Sequence, residues 1–253
     1  MALNLANYEH LARLGIAQFW EGRSSALEND EERSQGGERA GVLGGRNMDG
    51  FLIMMEELIR KNGLPDADIY IKGRPRLTLP GYFRPTKLWD VLVFDDEKLV
   101  AAIELKSHVG PSFGNNFNNR AEEAIGTAHD LATAIQEDVL GNQLPPFTGW
   151  LILVEDCERS NKAVRDSSPH FAVFPEFRGA SYLTRYEVLC RRLVQKGLYS
   201  QATVVASPRT ARTNGDYRDL SQATGLRTFA ARLAAHVAGW AEAHPQESAL
   251  PDS

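Results

Sequence analysis

Cysteine is nearly absent from this chain, and that absence narrows its chemistry. Among 253 residues only Cys157 and Cys190 occur, without the close spacing of a zinc site or a disulfide framework. Two reduced thiols fit a reducing compartment, and a cytoplasmic location is expected. No apolar run approaches the roughly 18 residues that would span a bilayer, so no membrane association is expected. The start, Met1 to Asn7, lacks a basic region followed by an apolar stretch and does not read as a signal peptide. Net positive charge is also missing. The formal charge is −5, which excludes a generally sticky, histone-like binder of nucleic acid. It leaves open an enzyme whose positive charge is gathered in one cleft. Residues 28–32 are acidic, whereas Lys72, Arg74, Arg76, Arg84 and Lys87 stand in residues 72–87 with no acidic residue among them. Arg209, Arg212, Arg218 and Arg227 form a second basic tract.

What is present suits a single α/β domain of 1–253, with 43% hydrophobic residues to build a core. The spacing predicts a first helix over 4–21 and a mobile connection from Gly22 to Gly45, the two making an N-terminal region of 1–45. A second helix is expected from Met48 to Lys61, capped by Asn47 or Asp49 and ended by Asn62-Gly63. Short extended segments near 68–72 and 76–79 lead to two apolar runs, Val91–Phe94 and Leu99–Ile103, joined by the polar turn Asp95-Asp96-Glu97-Lys98. A helix over Arg120–Glu137 closes a core region of 46–140. A buried strand at Trp150–Val154, a helix over 181–196, a strand at 202–206 and a helix over 221–243 occupy 141–243, and 244–253 is a polar tail. Strands interleaved with helices predict α/β with a mixed sheet, because the hairpin is antiparallel.

The chemistry centres on that hairpin. Asp90 precedes its first strand, and Glu104 and Lys106 follow its second. Side chains alternate along a strand, so Glu104 and Lys106 share a face, and regular alternation would put Val100 and Ala102 there too. If residue 94 paired with 100, Asp90 would fall opposite Glu104 with β-carbons about 5 Å apart. Pairing 94 with 99 would turn Asp90 to the wrong face, so the arrangement requires an odd-length connection or a bulge. Two carboxylates this close repel unless a divalent cation joins them, and hard oxygen ligands suit Mg²⁺. Asp90, Glu104 and the Leu105 carbonyl are the candidate ligands. Lys106 would orient an attacking water and offset charge on a phosphoryl group, a contribution of roughly 3 kcal/mol for one preorganised donor. The ordinary alternative is a surface Glu-x-Lys pair ending a strand. Glu56 and Glu57 are further acidic candidates from the second helix, Glu57 the preferred one, set against solvated i,i+4 pairing with Arg60 and Lys61. His108 is a candidate general base set against a structural histidine.

After Lys106 comes Ser107-His108-Val109-Gly110-Pro111-Ser112-Phe113-Gly114-Asn115-Asn116-Phe117-Asn118-Asn119-Arg120. Gly110, Pro111 and Gly114 predict a loop. Asparagine can bind adenine and arginine guanine bidentately, so Asn115, Asn116, Asn118, Asn119 and Arg120 are the first candidates for DNA contact, with Arg209 and Arg212 next. The alternative is a loop whose amides satisfy their own backbone.

Asp90 with Glu104-Leu105-Lys106 resembles the active-site pattern of PD-(D/E)xK nucleases. The Asn-rich segment, Glu122-Glu123-Ala124-Ile125-Gly126 and the approach Leu79-Pro80-Gly81-Tyr82-Phe83-Arg84-Pro85-Thr86-Lys87-Leu88-Trp89-Asp90 resemble the XhoI-type type II restriction endonucleases. The resemblance implies a restriction-endonuclease-like core: a homodimeric, Mg²⁺-dependent enzyme that cuts double-stranded DNA at a palindrome such as CTCGAG and leaves 5′ overhangs. Trp89 departs from the proline of the generic pattern. The rival readings are a repair or recombination nuclease that recognises DNA structure and a catalytically silent DNA-binding protein on the same fold.

Overall fold

The computed structural model describes residues 2–31, 48–71 and 73–244. Helix α1 (Tyr8–Glu31) leads to α2 (Asp49–Lys61), then strands β1 (Asp68–Tyr70), β2 (Thr78–Pro80), β3 (Thr86–Leu88), β4 (Val91–Asp95) and β5 (Lys98–His108). Helix α3 (Phe113–Gln136), strand β6 (Phe147–Glu155), the single turn α4 (Glu158–Asn161), helix α5 (Tyr182–Gln195), strands β7 (Gln201–Ser207) and β8 (Arg218–Asp219), and helix α6 (Leu226–Ala243) follow among the described residues. Six strands form one mixed sheet in the order β1-β4-β5-β6-β7-β8. β5, β6 and β7 run parallel, while β1/β4, β4/β5 and β7/β8 are antiparallel. β2 and β3 make a separate two-stranded ribbon.

Helices cover both faces of the sheet. On one face α1, α2 and α6 bury Phe19, Phe51, Met55, Phe229, Leu233 and Trp240 against Val93, Ile103, Leu151 and Val205. On the other, α3 and α5 bury Phe113, Ala124, Leu183, Tyr186 and Leu193 against Trp150, Ile152 and Val204. The burial of all of β7, and of all of β6 but Thr148, is what a central parallel strand covered on both sides requires. Each large apolar side chain contributes about 1.5–3 kcal/mol by leaving water. At the crossing of α1 and α2, a Cβ added to Gly50 would lie 1.9 Å from the Gly15 Cα, so the two backbones meet with no room for a side chain.

The structure corrects several expectations. α1 continues through Gly22 to Glu31, since one glycine costs only about 1 kcal/mol in a helix with no proline behind it. The rest of the connection to Gly45, Asn47, Lys72 and the tail from 245 lie outside the described residues. Met48 is the N-cap of α2, without a side-chain hydrogen bond, and Asp49 is already helical. Of the extended segment expected near 76–79, Arg76 and Leu77 belong to a 3-10 turn over Arg74–Leu77, and Thr78 and Leu79 are strand. α6 begins at Leu226, five residues later than expected, where Asp219 Oδ1 accepts from the Leu226 N–H at 3.0 Å.

The largest correction concerns the Asn-rich segment, which is helix and not loop. α3 starts at Phe113, so all four asparagines sit in its first two turns. Glycine and asparagine are poor helix formers, but Phe113 and Phe117, one turn apart, dock on an aromatic cluster. Ring centroids are 5.6 Å apart for Phe113–Tyr182, 4.8 Å for Phe113–His108 and 5.0 Å for Phe117–Tyr186. Tertiary packing outweighs local propensity here. A Cβ at Gly114 would meet the Tyr182 hydroxyl at 3.1 Å, so the small residue permits the close approach.

Candidate active site

The β4–β5 hairpin contains the irregularity that the carboxylate geometry demands. Asp95 pairs with Lys98 and Phe94 with Leu99, but Val93 pairs with Ala101, Leu92 with Ala102 and Val91 with Ile103, the register shifting between Val93 and Phe94. Val100 is the extra residue. It turns with Ala101 into the α1/α2/α6 core, so it does not share the face of Glu104 as regular alternation would have it. Beyond the bulge the register brings Asp90 level with Glu104 and Leu105. Asp90 Oδ2 accepts the Leu105 N–H at 2.8 Å, extending the ladder one step past the end of β4.

Glu104 and Lys106 point to the α3 side. Lys106 Nζ lies 3.1 Å from Asp90 Oδ2 and donates to Glu104 Oε2. Glu104 is buried at 2% exposure, and its second oxygen takes the ammonium of Lys87, on β3, at 2.5 Å. Burial alone would lower the pKa of Lys106. Glu104 and then Asp90 more than offset that and raise it above the ordinary lysine value. Lys106 is therefore a permanent cation at neutral pH, suited to orienting a water or countering an oxyanion and unsuited to taking a proton.

Glu104, Lys106 and Lys87 open onto a cleft of about 790 Å³, lined with them by Phe83 and Arg84 on one side and by Arg120, Glu122, Glu123 and Asp130 of α3 on the other. The β2–β3 ribbon forms its rim. Buried Asp130 grips the ribbon's turn, accepting from the Tyr82 N–H at 2.9 Å, the Phe83 N–H at 2.8 Å and Arg84 Nε at 2.7 Å. Trp89 buries its ring against Leu77, Leu79 and Leu92 and carries Asp90 at its next position.

A divalent cation fits this donor set. Asp90 and Glu104 each turn one oxygen toward a common point, which the Lys106 ammonium now takes. Among the described residues, no group of three or more His, Cys, Asp or Glu side chains could hold a metal. A hard cation here would draw on two carboxylates, main-chain or phosphate oxygen and water, the pattern of Mg²⁺ more than of a protein-caged metal.

The other candidates are placed as follows. Asn115, Asn116, Asn118 and Asn119 are exposed. Asn116 stands one turn before Arg120 and Asn119 one turn before Glu123, on the rows of α3 that line the cleft. Arg120 lines the cleft and pairs with Glu123 at 2.5 Å. Arg209 is held in a two-pronged bond by buried Glu155, at 2.7 and 3.2 Å, and Glu155 also accepts the Gly110 N–H. Arg209 thus ties the end of β7 to the end of β6, and Arg212 is exposed on the same 3-10 turn. Glu56 and Glu57 belong to α2, on the opposite face of the sheet, and pair with Arg60 and Lys61. His108 is 2% exposed, with Nδ1 2.6 Å from the Tyr186 hydroxyl and Nε2 3.2 Å from the Ser112 carbonyl oxygen. Its pKa is lowered, chiefly by burial. It is a structural histidine that joins β5 to α3 and α5. Lys87 and Asp130 were missed as site residues. The run of basic residues with no acid between them in 72–87 was the available signal for Lys87, and no local signal marked Asp130.

A family model described as restriction endonuclease XhoI matches residues 28–219. The chain is 83% identical over 197 residues to a type II restriction enzyme XhoI from Xanthomonas vasicola, covering 78% of this chain and 79% of that one. It is 56% identical over 173 residues to type II restriction enzyme AbrI from Azospirillum brasilense (68% and 77% covered). To type II restriction enzyme BstVI from Geobacillus stearothermophilus it is 43% identical over 207 residues (80% and 92% covered). No solved structure matches.

Proposed function

Because this chain belongs to the restriction endonuclease XhoI family and is a type II restriction enzyme, we propose that it cuts double-stranded DNA at the palindrome CTCGAG, as a Mg²⁺-dependent homodimer that leaves 5′ overhangs. The observation that carries the chemistry is the convergence of Asp90, Glu104 and Lys106, the last two of which line the cleft. In this reading Asp90, Glu104 and the Leu105 carbonyl hold the metal. The bound ion would polarise the scissile phosphate and acidify a water. Lys106, kept charged by its two carboxylate neighbours, orients that water and counters charge growing on the phosphoryl oxygens. The bulge at Val100 is what lets Asp90 and Glu104 act on one phosphate. Asn115, Asn116, Asn118 and Asn119, exposed on the first turns of α3, and Arg120, which lines the cleft, supply DNA contacts, with Arg212 a further one. Arg209 acts chiefly by positioning its turn through Glu155.

A palindrome calls for two sites related by two-fold symmetry, hence two chains. The specificity itself rests on the resemblance to the XhoI-type family. Digestion of a sequenced plasmid with Mg²⁺, with the cut ends mapped, tests it. Discrete fragments bounded by CTCGAG with 5′ extensions are expected. A smear, or ends at another sequence, would refute the assignment. Light scattering of the free enzyme should return twice the mass of the chain, and a monomer both free and on DNA would refute the homodimer.

A further inference from the structure

We propose that Lys87 is a substrate-binding residue of the cleavage site, whose ammonium leaves Glu104 for the scissile phosphate when a divalent cation takes that carboxylate. The proposal rests on the reading of Asp90 and Glu104 as metal ligands.

Three observations carry it. First, Lys87 Nζ sits on the Glu104 oxygen that Lys106 does not use, at 2.5 Å. Asp90 and Glu104 with Lys87 and Lys106 form a set of two negative and two positive charges, neutral as it stands. Uptake of a dication leaves an excess of about two positive charges, which an incoming phosphodiester reduces, and each ammonium that gives up a carboxylate is then available to an anion. Second, Lys87 lines the cleft with its side chain 17% exposed. Most of the side chain is packed, and it borders the cleft beside Glu104. Third, its base is fixed. β3 pairs Lys87 with Leu79, and the ammonium lies 5.2 Å from the centre of the buried Trp89 ring. Lysine suits such an exchange because its ammonium is a point charge on a flexible stem, with no fork geometry to preserve.

The consequence is coupling between metal and DNA. In the free enzyme Lys87, on Glu104 Oε1, neutralises carboxylate charge that a metal at Oε2 would draw on, and in the complex it repays phosphate binding, so each ligand favours the other by the same factor. The test compares wild type, Lys87→Met and Lys87→Gln. The readouts are calorimetric titration of the DNA-free protein with Mn²⁺ and binding of a cognate duplex in Ca²⁺ across a salt series. Either variant should bind Mn²⁺ about tenfold more tightly without DNA. The slope of log affinity against log salt should fall by about one, as for loss of one phosphate contact. Lys87→Arg, which keeps the charge, should restore the slope. Unchanged Mn²⁺ affinity with an unchanged salt slope in whichever of the Met and Gln variants remains folded overturns the proposal. Glu104→Gln is titrated in parallel. If it binds Mn²⁺ as wild type does, the metal-site reading fails and this inference with it. If it loses Mn²⁺ while the Lys87 variants match wild type, only the role of Lys87 fails.

Discussion

Replacing Asp130 should show that the rim of the cleft is held from beneath. This carboxylate is 4% exposed and accepts three hydrogen bonds, from the N–H groups of Tyr82 and Phe83 and from the guanidinium of Arg84. A hydrogen bond to a charged group contributes about 1.5–3 kcal/mol. The donors lie in an exposed turn, Phe83 being 66% exposed, so water can replace part of the loss and the lower figure applies to each. With some coupling among the three, Asp130→Ala should cost about 3 kcal/mol and Asp130→Asn about half of that. Burial raises the pKa of Asp130, but the Phe83, Arg84 and Tyr82 donors lower it further, and the net shift is downward from 3.8. The folded state therefore binds the proton more weakly than the unfolded chain. The stabilisation is fully present above about pH 4 and is lost as the pH falls through the depressed folded value. Urea unfolding of wild type and Asp130→Ala at pH 7 should show the full gap, and it should close progressively below pH 4. Gly81→Ala should reproduce much of the loss, because its Cβ would lie 2.6 Å from Asp130 Oδ2. A deficit under about 1 kcal/mol at neutral pH, or one that stays constant into acid, would refute the argument.

Four further outcomes follow from the site and its supports. Lys106→Met should slow Mg²⁺-supported cleavage by about 10²–10³-fold while cognate binding in Ca²⁺ stays within a few-fold; cutting at the wild-type rate would remove Lys106 from the chemistry. Asp90→Asn should weaken Mn²⁺ binding to the DNA complex in calorimetry, and an unchanged affinity would place the ligands elsewhere. Asn116→Ala should lower cognate affinity by about 1–3 kcal/mol and leave random-duplex affinity nearly unchanged, whereas a parallel fall in both, with a lower melting point, would make the residue structural. His108 has a lowered pKa, so the unfolded chain takes a proton that the folded state refuses. Wild-type stability should decline as the pH falls below about 6.5 through the folded value, and His108→Gln should flatten that part of a stability–pH profile.

Much of this protein was legible along the chain. The α/β order, the strand at Trp150–Val154 and the hairpin carrying Asp90, Glu104 and Lys106 follow from apolar periodicity and turn residues, which act over a few positions. The need for an odd-length connection or a bulge was also readable, because alternation is strictly two-fold and only an added residue brings Asp90 level with Glu104. The location of that residue was not, since Val100 is as apolar as its neighbours and only packing under α1 and α2 selects it. The Asn-rich stretch looked like loop by composition and became helix because Phe113 found Tyr182 and Phe117 found Tyr186, each 69 residues away. Glu57 had the right chemistry but lies on the far side of the sheet, and layer assignment is a global property. Local pattern determined which residues could do chemistry. Long-range contacts decided which of them meet, placing Lys87 on Glu104 across 17 positions and Asp130 under the Tyr82–Arg84 turn across 46 to 48, because a side chain's partners are set by how helices and strands pack and not by its neighbours in sequence.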